Sequence, residues 1–214
     1  MISPATSGSD AVFVIDDDAS FLKSVSRLLS AVGYTVRAFQ SAKEFLEQLS
    51  PDTSGCIVAD LQMPGMDGLK LQKTLANSAN PLPIIFLTGQ GDIPSTVTAM
   101  RSGAEDFLTK RAPKEDLLAA IGRALERDRT ERVKRTHLHD LRRRLDVLSQ
   151  RELEVLSHVV RGKMNKEIAA ELNINERTVK LHRTNITRKL KVHSVAELTS
   201  LAAEAGLFKP QSSN

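Results

Sequence analysis

What most constrains this chain is an alternation between residues 11 and 125, where short apolar, β-rich runs take turns with segments of helical periodicity. The runs are Ala11 to Ile15, Tyr34 to Phe39, Cys56 to Ala59, Pro83 to Leu87 and Asp106 to Thr109, and the spacing predicts helices near 19–32, 41–49, 68–77, 95–102 and 114–127. Strands and helices in strict alternation make a parallel sheet covered by helices. The unbroken run Ile84, Ile85, Phe86, Leu87 suits a central strand buried on both faces. The expected fold is α/β, a doubly wound five-stranded parallel sheet.

Beyond the alternation the pattern changes. From Glu126 to Leu148 the chain is charged and lacks Pro and Gly, while Leu138, Leu141, Leu145 and Leu148 recur at three-four-three spacing. We read a helical linker there; the same leucines would also suit a helix packed on its own domain or a seam with a second copy. After Leu148 no strand signal remains, only four compact helical segments that predict an all-α helix-turn-helix domain. Ser149 with Glu152 and Ser194 with Glu197 match the capping box, and Gly162 and Gly206 are natural helix stops. The expected organisation is therefore 1–127, a first domain; 128–146, a helical linker; 147–208, the helical domain; and 209–214, a tail.

Charge follows the same division. Through Arg129 there are 13 Lys+Arg against 16 Asp+Glu, net −3; beyond it there are 17 against 10, net +7. A basic second half points to a polyanionic partner. The opening MISPATSGSD lacks the basic start and apolar core of a secretory signal, and no apolar run approaches the ~18 residues of a membrane span, so a soluble, cytoplasmic protein without membrane contact is expected. The lone Cys56 lies inside an apolar run and reads as a small core residue.

In an open parallel sheet, ligands bind beyond the carboxyl ends of the strands, where the chain order reverses. Asp16, Asp17 and Asp18 follow the first strand, Asp60 the third, Thr88 the fourth and Lys110 the fifth. Converging carboxylates repel, so such a site must bind a cation or raise a pKa, and oxygen ligands favour Mg²⁺. A carboxylate beside Mg²⁺ can attack a phosphoryl group in line if donors such as Thr88 and Lys110 neutralise the equatorial oxygens.

The segments VFVIDDD, VADLQMPGMDGL, LPIIFLTGQGD and SGAEDFLTK resemble the successive signatures of response-regulator receiver domains, whose sheet is flavodoxin-like, over roughly residues 10 to 127. That resemblance implies Asp16, Asp17, Asp60 and the backbone carbonyl of Gln62 as Mg²⁺ ligands. It also implies Asp60 as phosphoacceptor, Thr88 and Lys110 as phosphoryl-binding groups, and Phe107 as the switch aromatic. Asp18 is expected to cap the first helix; Gly65 and Gly68 form the loop after the acceptor, and Gln62 and Gln90 flank the site. One departure stands out: receivers commonly carry Pro directly after the lysine, and here it is Arg111.

In NKEIAAELNINERTVKLHRTNITRKL, two helices meet at a turn over Asn173 to Asn175. Val179, Ile186 and Leu190 share one face of the second helix, and Arg177, Leu181, Thr184 and Arg188 lie opposite, with Lys180 on the flank. Such a face suits the major groove, with phosphate contacts from Lys166, Arg183 and Lys189. The pieces LSQRELEVL, the segment from Gly162, the run from Thr178 and the SVAEL helix resemble the LuxR-type domain of NarL/FixJ regulators, over about residues 147 to 208. This likeness implies base contacts from Lys180, Leu181 and Thr184, with Thr178, where the run begins, also among the DNA-contacting residues. It further implies a dimerising last helix lined by Val195, Leu198, Leu201, Ala202 and Ala205.

Together these readings predict a phosphorylation-controlled transcription factor of a two-component system: a sensor histidine kinase supplies the phosphoryl group, the protein forms a homodimer, and double-stranded DNA and RNA polymerase are its further partners. It is not expected to be an enzyme. The competing classes are a Mg²⁺-dependent phosphatase or phosphotransferase, disfavoured because Leu61 and Gln62 follow Asp60 and no cap insertion is visible, and a DNA binder with a vestigial receiver, disfavoured because every site position is filled.

Overall fold

The computed structural model describes residues 10–78, 80–89 and 93–207; Gln90, the expected tail and the first nine residues of the expected first domain lie outside them. The chain divides into two compact units between Arg132 and Val133.

The first unit carries β1 (Ala11–Ile15), α1 (Ala19–Val32), β2 (Thr35–Phe39), α2 (Ala42–Glu47), β3 (Gly55–Asp60), α3 (Gly68–Ala76), β4 (Ile84–Thr88), α4 (Ile93–Arg101), β5 (Asp106–Thr109) and the first part of α5 (Lys114–Leu145). The strands form one parallel sheet in the order β2-β1-β3-β4-β5. Alternation along each strand sends side chains to opposite faces. Phe13, Ile15, Ile57 and Phe86 pack with Phe45, Leu71 and Ala99 of α2, α3 and α4, whereas Val12, Val14, Val58 and Ile85 pack with Leu22, Leu29, Ala120 and Ile121 of α1 and α5. Helices thus cover both faces, as the uninterrupted apolar run of β4 required. Cys56 is fully buried, and burial pushes its thiol pKa far up, as befits a core residue.

The expected helix 114–127 and the expected linker belong to one helix. Its middle is fixed to the first unit: the buried Asp128 carboxylate accepts from Gly55 N at 3.1 Å, and Arg129 and Arg132 reach Asp10 at 2.7 and 3.0 Å. Its end belongs to the second unit, where Leu141, Leu145 and Leu148 are 5–6% exposed within that unit's core. The alternative of a seam with a second copy therefore fails for these three leucines. Apolar spacing reports a face that must be buried, and the second unit's own helices bury it.

The second unit continues with α6 (Gln150–Val159), α7 (Asn165–Leu172), α8 (Glu176–Leu190) and α9 (Val195–Glu204), packed around Leu156, Ile168, Val179, Ile186 and Leu190. Each such buried side chain contributes about 1.5–3 kcal/mol relative to exposure. Ser149 and Glu152 form the reciprocal capping box that starts α6. The second expected box is only half made: Ser194 Oγ accepts from Glu197 N, while the Glu197 carboxylate accepts from His193 N. Asn173 adopts the left-handed conformation that turns α7 into α8, and Asn175 caps α8 through Thr178 N. Among the described residues, no helix is long and apolar enough to cross a membrane.

Candidate active site and nucleic-acid interface

Parallel register brings the strand ends level. Ile15 pairs with Ala59, Asp60 with Leu87 and Thr88 with Thr109, so the residues at and just after these ends meet at one rim of the sheet. One carboxylate oxygen from each of Asp16, Asp17 and Asp60 lies within 4.8 Å of the others. The Lys110 ammonium bridges two of them, at 2.6 Å from Asp16 Oδ2 and 2.8 Å from Asp60 Oδ2. The remaining oxygens accept from the backbone: Asp16 Oδ1 from Asp18 N at 3.0 Å, and Asp60 Oδ1 from Gln62 N at 3.2 Å. Asp16, Asp60 and Thr88 are buried, and Asp17 is exposed.

Burial dominates the electrostatics of Asp16 and holds its pKa above the ordinary aspartate value despite Lys110. For Lys110 the balance is reversed: burial pushes its pKa down, but the two carboxylates outweigh it and the ammonium is stabilised. Three carboxylates against one lysine leave the rim negatively charged. Each carboxylate oxygen has more than one lone pair, so an all-oxygen set remains able to ligate a hard divalent cation after the bonds above are made.

Neighbouring residues fall where sequence placed them. Asp18 caps α1, accepting from Ser20 N and Phe21 N, and is occupied with that task. A Cβ on Gly68 would lie 2.7 Å from both Asp60 O and Phe86 Cε1, so only glycine lets α3 begin this close to the acceptor strand. Phe107 is half-buried, its ring 6.2 Å from that of Phe86. Arg111 does not prevent Lys110 from reaching the rim: no cis bond occurs among the described residues, and Lys110 N donates to Thr88 O at 2.8 Å. Sequence reasoning missed Phe21, whose ring centroid lies 4.5 Å from Lys110 Nζ. Its position three residues after the capping Asp18 was the available signal.

In the second unit, α8 buries Val179, Ile186 and Leu190 and exposes Arg177, Lys180, Leu181, Thr184 and Arg188 on its outer side, with Lys166 exposed on α7. Leu181 is 58% exposed, a large apolar side chain flanked by cations.

Two families match this chain in series: the response regulator receiver domain over residues 12–122 and the luxR family of bacterial regulatory proteins over 146–202. The chain is a two-component response regulator of the NarL/FixJ type. It is 42% identical over 196 residues to Nodulation protein W of Bradyrhizobium diazoefficiens, covering 92% of this chain and 86% of that one. It is 38% identical to the transcriptional regulatory protein FixJ of the same organism, covering 92% and 96%. The solved structure of the response regulator StyR superposes with a TM-score of 0.76 at 43% identity, covering 92% of this chain and all of that one. The regulator thus joins a receiver to a LuxR-type DNA-binding domain and regulates transcription.

Two expectations about the regulator's second unit, on Lys189 and on α9, are corrected by its geometry. Lys189 is not a free phosphate contact, because its ammonium lies 2.6 Å from Oε2 of the buried Glu152 and completes the α6 cap. Thr178 begins the first turn of α8, where its backbone N–H and its hydroxyl both donate to Asn175 Oδ1. Leu198, Leu201, Ala202 and Ala205 are at most 6% exposed in the unit's own core, so of the predicted dimer residues on α9 only Val195 faces solvent. Arg183 is half-buried and donates to Asn165 Oδ1 at 3.0 Å, tying α8 to α7.

Proposed function

We propose that Asp60 is the phosphoacceptor of this regulator, that a sensor histidine kinase is the donor, and that phosphorylation assembles two copies on promoter DNA. The observation that carries this reading is the Lys110 ammonium bridging Asp16 and Asp60 beside Asp17 at the rim of the sheet. Asp16, Asp17, Asp60 and the Gln62 carbonyl would hold Mg²⁺, which supplies charge neutralisation for the phosphoryl oxygens when bound.

In the transfer, an Asp60 carboxylate oxygen forms a new bond to phosphorus as the bond from phosphorus to the donor breaks, and the donor leaves with that electron pair. Lys110 turns from the carboxylate to the phosphoryl oxygens, and the Thr88 hydroxyl donates to another of them. Movement of Thr88 frees space that Phe107 fills. The exposed Ile93, Val97 and Met100 of α4 give the receiver an apolar surface for a second copy along α4, β5 and α5. This is the better dimer candidate now that the α9 side chains are accounted for.

On DNA, Lys180, Leu181 and Thr184 would meet base edges, while Arg177, Arg188 and Lys166 would meet bases or phosphates. The functional modules are 1–127 and 147–208, the protein works in the cytoplasm, and RNA polymerase is the downstream partner. Pairing the two DNA-reading heads raises affinity through effective concentration without new base contacts.

The test is a DNA-binding titration at fixed salt, with and without a small acyl phosphate and Mg²⁺, run on wild type and Asp60→Asn. Wild type gains one phosphoryl mass and binds more tightly; Asp60→Asn does neither. A wild type that takes up no phosphate, or an Asp60→Asn variant that still responds, ends the proposal.

A further inference from the structure

Lysine is a flexible choice for a group that must sit still. Its ammonium rides on a four-carbon stem with three rotatable donors, and ordering it costs rotamer entropy. Here its backbone is followed by Arg111, not proline, and yet the side chain is only 17% exposed and directed at Asp16 and Asp60. Neither carboxylate is the lysine's alone, since Asp60 is the group that changes chemically in the function proposed above and Asp16 would also serve Mg²⁺. A fixed partner is also present. The Phe21 ring lies with its centroid 4.5 Å from Lys110 Nζ, within the range of cation–π attraction.

Phe21 is held at both its backbone and its side chain. Asp18 Oδ1 accepts from Phe21 N at 3.1 Å and so fixes the first turn of α1, while the half-buried side chain packs against the core formed by α1, α5 and the sheet. Asp18 N in turn donates to Asp16 Oδ1 at 3.0 Å. One short segment, Asp16 to Phe21, therefore supplies the lysine with a carboxylate on one side and an aromatic face on another.

We propose that Phe21 is a positioning residue for phosphoryl transfer, holding the Lys110 ammonium at the rim of the sheet by its aromatic face while the lysine exchanges the Asp60 carboxylate for the phosphoryl oxygens. The inference rests on the phosphoacceptor reading of Asp60. Its physical content is that the ring attraction is independent of the charge on Asp60, so the ammonium keeps one constant anchor through the transfer. An aliphatic side chain of similar volume would fill the space and lack the ring's negative face.

The experiment uses the full chain as wild type, Phe21→Tyr, Phe21→Trp and Phe21→Leu, each also combined with Lys110→Met. Two quantities are read: the rate of phosphoryl uptake from acetyl phosphate with Mg²⁺ by intact mass, and the NMR shifts of the Lys110 ε-methylene protons without donor, assigned by their loss in Lys110→Met. Wild type and the aromatic variants show ring-current-shifted Lys110 protons, and the aromatic variants take up phosphate within about twofold of wild type. Phe21→Leu loses the shift and slows uptake roughly three- to tenfold. In the Lys110→Met background Phe21→Leu has no further effect, because the interaction it removes is already gone.

Phe21→Leu matching wild type in rate overturns the inference, as does an equal slowing with and without Lys110, which marks a merely structural role. Absence of a ring-current shift in wild type overturns it as well. In each of those cases wild type still takes up phosphate and the Asp60 reading stands; a wild type that takes up none removes both.

Discussion

In the receiver, the polar groups that matter are drawn from four strand ends and all but Asp17 are largely withdrawn from water, whereas in the DNA-binding unit they lie on the open face of a single helix. Asp16, Asp60 and Thr88 are 1–7% exposed, and removing either carboxylate would take from the Lys110 ammonium one of its two ion-pair partners. On α8, Arg177, Lys180 and Leu181 face water and their loss leaves the fold's own bonding untouched. Buried charge feels a low dielectric, so adding a phosphoryl group there acts strongly on the surrounding fold; exposed charge is screened and serves encounter with a polyanion. The two sites suit a switch and a reader respectively.

The sharpest way to break this contrast is at α9, where sequence expected an intermolecular surface and the structure places the unit's own core. Leu198→Ala is expected to destabilise the second unit by about 2–5 kcal/mol, the cost of a large-to-small change in a packed core. Hydrogen exchange read separately over residues 133–207 and 10–132 checks it: protection falls in the second unit alone. Were Leu198 an interface residue, the isolated chain would keep its protection and only dimer formation would suffer.

Next in size is the receiver's lysine. Lys110→Met should slow phosphoryl uptake by about 10²–10³, the range for removing one preorganised charge-stabilising donor, with intact mass as the readout. An effect under tenfold would mean that Lys110 serves only to balance the acids.

The reader helix should give smaller and separable effects. Lys180→Ala is expected to weaken binding to a specific site by about 1–3 kcal/mol if it contacts a base edge. Lys189→Met, by contrast, should leave the salt dependence of binding unchanged, since that ammonium is bonded to Glu152. A phosphate contact would lower the slope of log affinity against log salt by about one. A titration series in salt with both variants therefore decides whether the corrected assignment of Lys189 holds.

These cases show where sequence was legible. The rim of the receiver could be read because strand-end placement follows from topology: once five β-rich runs alternate with helices, Asp16, Asp60, Thr88 and Lys110 must converge. The α8 surface could be read because a single helix has a single period. Partner identity could not be. Leu141, Leu145 and Leu198 announced a buried face, and the same pattern serves a dimer or a monomer. Likewise Lys189 looked like one more cation on a basic helix, because the Glu152 that claims it lies 37 residues away. Phe21 escaped for a related reason: an aromatic on an amphipathic helix is ordinary core, and its place three residues after Asp18 gains meaning only with its proximity to Lys110 in three dimensions.

The smallest expected effect depends on pH and isolates the second unit from the first. Burial raises the Glu152 pKa, but hydrogen bonds from the Lys189 ammonium and from Ser149 N outweigh it, leaving the carboxyl below its ordinary value. A carboxyl with a depressed folded-state pKa stabilises the fold above its unfolded-state value, and that contribution is lost as pH falls through the folded-state value. Glu152→Gln removes the charge while keeping a side chain that can still accept from Ser149 N, so at about pH 6 it should cost on the order of 1 kcal/mol in second-unit stability. Towards about pH 3 wild type loses the same charge by protonation, and the two curves should converge. Denaturant midpoints of both proteins across that range provide the measurement. A constant gap at every pH would show that shape at the cap matters and its charge does not; a gap that widens on acidification would contradict the sign derived from the Lys189 contact.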